Sequence, residues 1–224
     1  WTMLPTHAAK AAAVAAARVA YKTDAPMLAT AGAQAAIQMI PRLTAPGIAR
    51  ILGPTYNEYG AALRNAGWQV EQVTDFDALA GADLAGASNL IVLRSFGKFY
   101  GLAGLRLGFA IGCENDIARL TEMSGPWPVN GAALRIATQA FNDSAWAEAT
   151  ILRLRAEAIK ADELAKTAGW AALGGTELFR LYETPDAQAA QETLARHQIW
   201  SRIFPYSNRW LRLGLPGGDV EWAR

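Results

Sequence analysis

One lysine stands where chemistry could be done. Residues Val92 to Gly108 read VLRSFGKFYGLAGLRLG, an apolar strand pattern that runs into small residues around Lys98. Lysine is costly to bury unless it is paired or chemically used. Lys98 lies just past a strand end, where α/β sheets place their ligand sites. A desolvated lysine has a lowered pKa and can form an imine with a carbonyl compound. Arg106 follows eight residues later, within reach of a bound anion, and Gly97, Gly101 and Gly104 let backbone come close to a ligand. The same spacing is equally open to a plainer reading, a glycine-rich surface loop with a solvated lysine.

The elements around this segment alternate. Ala8 to Tyr21 is alanine-rich without Gly or Pro, so it predicts a helix, with Thr6 as its cap. A shorter helix is expected over Ala33 to Ile40, stopping before Pro41. Strands are expected at Arg50 to Leu52 and Val70 to Val73, with a helix from Asn57 to Ala66 between them. Asn89 to Arg94 and Leu107 to Ile111 are apolar runs that predict buried strands. This order gives an α/β sheet covered on both faces.

After Cys113, which reads as a small core residue, the texture changes. Glu114 to Met123 is helical, Asn130 is a candidate cap, and helical pattern runs to Ala168 with a break near Asn142-Asp143. The tail predicts a strand at Glu177 to Tyr182, a helix at Asp186 to His197, and strands at Ile199 to Ile203 and Trp210 to Leu215. That is a small α+β domain. The expected division is a large domain over 1–150 and a small one over 151–224.

Composition narrows the class. The 224 residues are 52% hydrophobic and 18% charged, with a net charge of +1, so a sizeable core can form and no basic patch for nucleic acid stands out. A single cysteine excludes an internal disulfide and fits a reducing compartment, and His7 and His197 are too isolated for a metal site. No stretch is apolar enough for a membrane span, and the start has no signal-peptide pattern. A cytoplasmic protein with no membrane or nucleic-acid partner is expected.

The string SFGKFYGLAGLRLGF (95–109) resembles the lysine segment of fold-type-I pyridoxal-phosphate (PLP) enzymes, the class I/II aminotransferase family. The likeness extends, in the family's order, through AGAQAAI (31–37), GPTYNEYGAALRNAGW (53–68), GPWPVNG (125–131) and IWSRIFPYSNRWLRLGLPG (199–217). It implies the fold-type-I architecture: a mainly parallel central sheet between helices, plus the small C-terminal domain. It implies PLP as cofactor, Lys98 as the catalytic lysine that carries it, and Arg106 and Ser95 as partners of its phosphate. Gly32, Ala33 and Gln34 match the phosphate loop, in keeping with the anion affinity of a helix N-terminus. Tyr56 matches the ring that stacks on the cofactor. Arg212 matches the arginine that clamps a substrate carboxylate through a bidentate fork, and Arg202 is a weaker candidate for substrate carboxylate or phosphate. Read from the residues alone, Gly32 would be a turn, Tyr56 a half-buried turn tyrosine and Arg212 a solvated edge residue.

Within this family the wording after Lys98 looks closer to the decarboxylases of threonine phosphate in cobalamin biosynthesis than to histidinol-phosphate aminotransferases. The expected substrate is a small amino-acid phosphate, and the expected assembly a homodimer. Two family parts are missing from their expected place: an Asn-Pro-x-Asn-Pro turn and a strand-end Asp that pairs with the pyridine nitrogen. The stretch that should hold them is Asp75 to Asn89, DFDALAGADLAGASN, in which Asp75, Asp77 and Asp83 have the wrong context. An omitted internal segment near 84–88 is the favoured explanation, and a non-catalytic remnant of the fold the other.

Overall fold

The computed structural model describes residues 4–75 and 90–224. It divides into two compact units, Trp1–Asp143 and Ser144–Arg224. The division falls at the helix break near Asn142-Asp143, somewhat before the boundary expected at 150.

The first unit opens with helix α1 (His7–Tyr21), capped by Thr6, whose hydroxyl accepts from the Ala9 amide at 3.1 Å. Strand β1 (Met27–Thr30) leads into helix α2 (Ala33–Met39). The chain does not stop before Pro41 as expected: it tightens into a 3₁₀ turn, Ile40–Arg42. Proline near a helix start lacks only an amide that would be unbonded there, so Pro41 is tolerated. Strand β2 (Ile48–Leu52), helix α3 (Asn57–Asn65) and strand β3 (Gln69–Val73) form a β-α-β unit with β2 and β3 parallel. Strands β4 (Val92–Ser95) and β5 (Gly108–Ile111) follow, then helices α4 (Glu114–Ser124) and α5 (Gly131–Asn142). Asn130 caps α5, its Oδ1 accepting from the Ala133 amide at 2.8 Å. Cys113 is half-buried at the start of α4.

Strand β5 explains the layering. It is buried at every position and lies between β1 and β4, antiparallel to both, so β1 and β4 run the same way. Its alternate side chains feed two cores. Phe109 and Ile111 join a cluster with Ala13, Ala17, Leu134 and Phe141 from α1 and α5. Ala110 joins the other, with Ala36 of α2 and Leu120 of α4. Helices therefore cover both faces, as the α/β expectation requires. Strand β4 differs from its expectation: among the described strands it pairs only with β5, and its residues are half-buried or exposed.

The second unit begins with the long helix α6 (Ser144–Thr167) and continues through strands β6 (Ala171–Thr176) and β7 (Phe179–Glu183), helix α7 (Ala187–Arg196), strands β8 (Arg202–Phe204) and β9 (Ser207–Gly214) and a last turn, α8 (Asp219–Trp222). Its sheet has the order β6-β7-β9-β8 and is antiparallel throughout. Strand β6 was not expected, because its two glycines and lack of β-branched residues before Thr176 mask it. Residues 177–178 form the hairpin turn instead. No helix among the described residues is long and apolar enough to cross a membrane.

Helix α6 is pinned to β7 by Asp162. Its carboxylate accepts from Arg180 Nε (3.0 Å), Arg180 Nη2 (2.6 Å) and the Tyr182 hydroxyl (2.9 Å). The Arg180 hydrogen bonds hold the Asp162 carboxyl below its ordinary value, against a smaller upward push from burial. A carboxyl depressed in the folded state contributes stability above its unfolded value, roughly pH 3.9, and loses it as pH falls through the folded one. Asp162→Asn is therefore expected to lower the unfolding free energy of the second unit in urea at neutral pH by about 1–3 kcal/mol, and to flatten its loss of stability on acidification. An unchanged acid dependence in denaturant titrations would refute this.

Candidate active site

The lysine loop is built on stacked aromatics. Phe96 and Tyr100, two residues to either side of Lys98, stack with ring centroids 4.3 Å apart and planes 12° from parallel. Phe141 of α5 meets both edge-on, at 5.2 and 5.4 Å. The Lys98 carbonyl accepts from the Gly101 amide at 3.0 Å and closes the turn. Lys98 sits at the apex of a rigid turn, but its side chain is exposed. Among the described residues nothing buries it, as in the second of the two readings that its spacing allows. A Cβ at Gly97 would lie 2.9 Å from the Ala103 Cα, so Gly97 serves chain packing, while Gly101 and Gly104 have no described atom within 4 Å of a Cβ and leave the chain open there.

A candidate anion cradle lies where β1, β4 and β5 line up. Thr30, Gly108 and Ser95 occupy one row of the ladder. Thr30, fully buried, shapes the turn into α2: its hydroxyl donates to the Gly32 carbonyl (3.0 Å) and its carbonyl accepts from the Gly32 amide (2.7 Å). Gly32 takes φ +78°, and a Cβ there would lie 2.8 Å from Arg106 Nη2. The missing side chain is thus what lets the Arg106 guanidinium reach the start of α2. Amides in the first helical turn, at Ala33 and Gln34, have no partner within the helix and attract anions. Arg106 itself adopts a left-handed conformation, φ +53°, and donates through Nη1 to the Ala103 carbonyl at 3.3 Å. The Ser95 hydroxyl accepts from the Gly97 amide at 3.3 Å at the exposed end of β4.

Tyr56 immediately precedes α3, exposed, with its ring edge-on to Tyr59 at 6.0 Å. It is tied to the cradle through Glu58, whose Oε2 accepts from Gln34 Nε2 at 2.7 Å. The first unit thereby gathers Gly32, Ala33, Gln34, Ser95 and Arg106, with Tyr56 linked through Glu58 and Lys98 three residues beyond Ser95. Thr30 and Glu58 were missed in the sequence. Thr30 had no signal, and Glu58 had only its place in the Tyr56 segment.

Arg202 and Arg212 lie in the second unit as directly opposed residues of β8 and β9. They line a pocket of about 470 Å³ with Phe179, Gln191, Trp200 and Ser201. Arg212 lies over the Phe179 ring, 4.9 Å from its centroid. Neither arginine has a carboxylate partner among the described residues. Burial first, and the Arg202 charge second, lower the Arg212 guanidinium from its ordinary value. Like charges set opposite each other across strands are destabilising, so this pair suits an anion between them.

The model of the class I and II aminotransferases matches residues 73–222, the Lys98 loop and both arginines included. The chain belongs to that family. Among relatives of this aminotransferase family, the threonine-phosphate decarboxylase of a Sinorhizobium species is 35% identical over 96% of this chain and 80% of its own. That of Pseudomonas aeruginosa is 33% identical over 88% of this chain and 76% of its own. The first alignment spans 271 residues against 224 in the whole chain, so that relative carries internal sequence with no counterpart here. A solved structure, histidinol-phosphate aminotransferase from Sinorhizobium meliloti with pyridoxal-5'-phosphate, superposes with a TM-score of 0.83 over 98% of this chain and 80% of its own, at 17% identity.

This family's cofactor is PLP, and the residues present fit it. The Gly32 and Arg106 cradle suits its phosphate, Lys98 its aldehyde carbon, and the exposed Tyr56 ring its pyridine face. Of the acidic residues in the 75–89 stretch, Asp75 follows β3 as the last described residue before position 90. Asp77, Asp83 and the expected junction at 84–88 lie outside the described residues.

Proposed function

We propose that the chain is a PLP-dependent lyase that decarboxylates L-threonine O-3-phosphate, giving 1-aminopropan-2-yl phosphate and CO2, a reaction expected in cobalamin biosynthesis. The observation that carries this reading is the opposed Arg202 and Arg212 pair, two cations on one pocket with no carboxylate partner among the described residues. It suits a substrate that carries more than one negative charge. Support also comes from the two decarboxylase relatives, which align over most of the chain.

PLP, when bound, serves as the electron sink for the bond broken at the substrate Cα. The chain supplies the rest. Arg106, Ser95 and the first-turn amides of α2 would hold the cofactor phosphate. Lys98 would be the cofactor's attachment point, and its amine would supply the proton that takes the place of the departing carboxylate at the substrate Cα. Arg212 fixes the carboxylate by its planar fork, and Arg202 answers the remaining negative charge. Decarboxylation rather than amino transfer would follow from how the substrate carboxylate is oriented, the role assigned to Arg212.

Arg212→Lys keeps the charge and loses the fork. A fall in kcat/KM of about 10- to 100-fold is expected on threonine phosphate, with the fold intact by circular dichroism. The direct test is product analysis of PLP-loaded protein given L-threonine O-3-phosphate. CO2 and aminopropanol phosphate support the reading. Amino transfer from histidinol phosphate without CO2 would overturn it in favour of an aminotransferase.

A further inference from the structure

We infer that Glu58 is a positioning residue for the cofactor site, acting through Gln34; this rests on the PLP reading above. Glu58 lies in the first turn of α3, two residues past Tyr56, half-buried, and its Oε2 accepts from Gln34 Nε2 at 2.7 Å. Gln34 lies in the first turn of α2, beside the amides that face the anion cradle.

Three consequences follow from that bond. An ionised carboxylate only accepts, so it fixes which end of the Gln34 amide faces it: the nitrogen. A glutamine in a first helical turn can otherwise turn its carbonyl back onto nearby free amides. Glu58 therefore keeps the Gln34 oxygen from competing with a phosphate for those amides. The bond also braces the first turn of α2 against that of α3, and Tyr56 immediately precedes α3. The part that grips the phosphate and the ring that faces the pyridine are held at a fixed spacing by one charge-assisted hydrogen bond.

A plainer role for Glu58 exists, as an acidic residue that favours the N-terminus of α3 by its charge. The two roles separate on substitution. Glu58→Gln removes the charge and keeps an oxygen that accepts from Gln34, whereas Glu58→Ala removes both. The full chain and its variants would be titrated with PLP, following cofactor absorbance and induced circular dichroism, with thermal unfolding as the control for fold. Glu58→Ala is expected to weaken PLP binding about ten-fold and to reduce the induced dichroism, which reports the ring held by Tyr56. Glu58→Gln should recover most of the affinity. The double variant Glu58→Ala, Gln34→Ala should be no weaker than the worse single one, because both remove the same bond. Wild-type affinity in Glu58→Ala, equal losses in the Ala and Gln variants, or additive losses would each overturn the positioning role. A wild-type chain that takes up no PLP would overturn the site reading and this inference with it.

Discussion

Lys98→Ala is expected to abolish covalent attachment of PLP and to cut turnover at least about a thousand-fold. A positioned proton carrier alone contributes about 10²- to 10⁴-fold, and here the same amine is also the attachment point. The structure makes this a clean experiment. Lys98 is exposed, while the turn that presents it is held by the Phe96 and Tyr100 stack and by Phe141. Removing an exposed side chain from a turn fixed by its neighbours should alter stability by less than about 0.5 kcal/mol. Borohydride reduction followed by peptide mass mapping should label Lys98 in the wild type and nothing in the variant. Non-covalent PLP uptake through the Gly32 and Arg106 cradle should persist. A variant that still turns over substrate, or a label on another lysine, would remove Lys98 from its role.

The candidate site was legible in part where a residue type carries its own chemistry. A lysine and an arginine among glycines past an apolar run suggested Lys98 and Arg106 no more strongly than a solvated loop, and the family pattern decided for them and added Gly32, Tyr56 and Arg212. What the sequence could not show is why Gly32 must be glycine. That depends on the backbone there, held at φ +78° where L side chains are strained, a conformation that one glycine in a sequence does not announce. Thr30 was invisible for the same reason. Its value lies in the two hydrogen bonds it makes within one turn, and one threonine in a strand has many uses. Lys98 shows a different limit. Its spacing left a desolvated and a solvated lysine equally open, and among the described residues the stacked rings pack on one another and leave the amine outside.

The fold was legible through period and caps. Thr6 and Asn130 cap helices as their side chains suggest, and the break near Asn142-Asp143 is where the second unit begins. Strand direction was not legible. A short apolar run is compatible with either ladder, so the antiparallel setting of β5 between β1 and β4 had to come from the structure. The near-continuous apolar run before Arg94 reads as a strand with a neighbour on each side, the pattern of a sheet interior. Among the described strands β4 has one neighbour, and a decarboxylase relative carries internal sequence that this chain lacks. An edge position explains why residues chosen for burial are only half-buried.

Gly108→Ala is expected to do the most damage for the least added mass. The new methyl carbon would stand 2.5 Å from the Ala33 nitrogen, 2.7 Å from the Gly32 carbonyl carbon and 3.0 Å from the Arg94 oxygen. All three are backbone atoms, so no side chain can swing aside. Relief requires β5 to shift within its ladder or the start of α2 to lift off it. Either movement breaks the row of Thr30, Gly108 and Ser95 and carries Gly32 away from Arg106. Overpacking of this kind costs about 1–3 kcal/mol and sometimes more. Because it strikes the cradle, loss of PLP affinity should exceed what the stability change alone predicts. Gly104→Ala is the matched control: it adds the same methyl to the same segment, where nothing lies within 4 Å. Thermal unfolding and PLP titration of the two variants should part widely, with Gly104→Ala close to wild type. If Gly108→Ala binds PLP as wild type does, the close approach of β5 to the α2 turn is not what shapes the phosphate site.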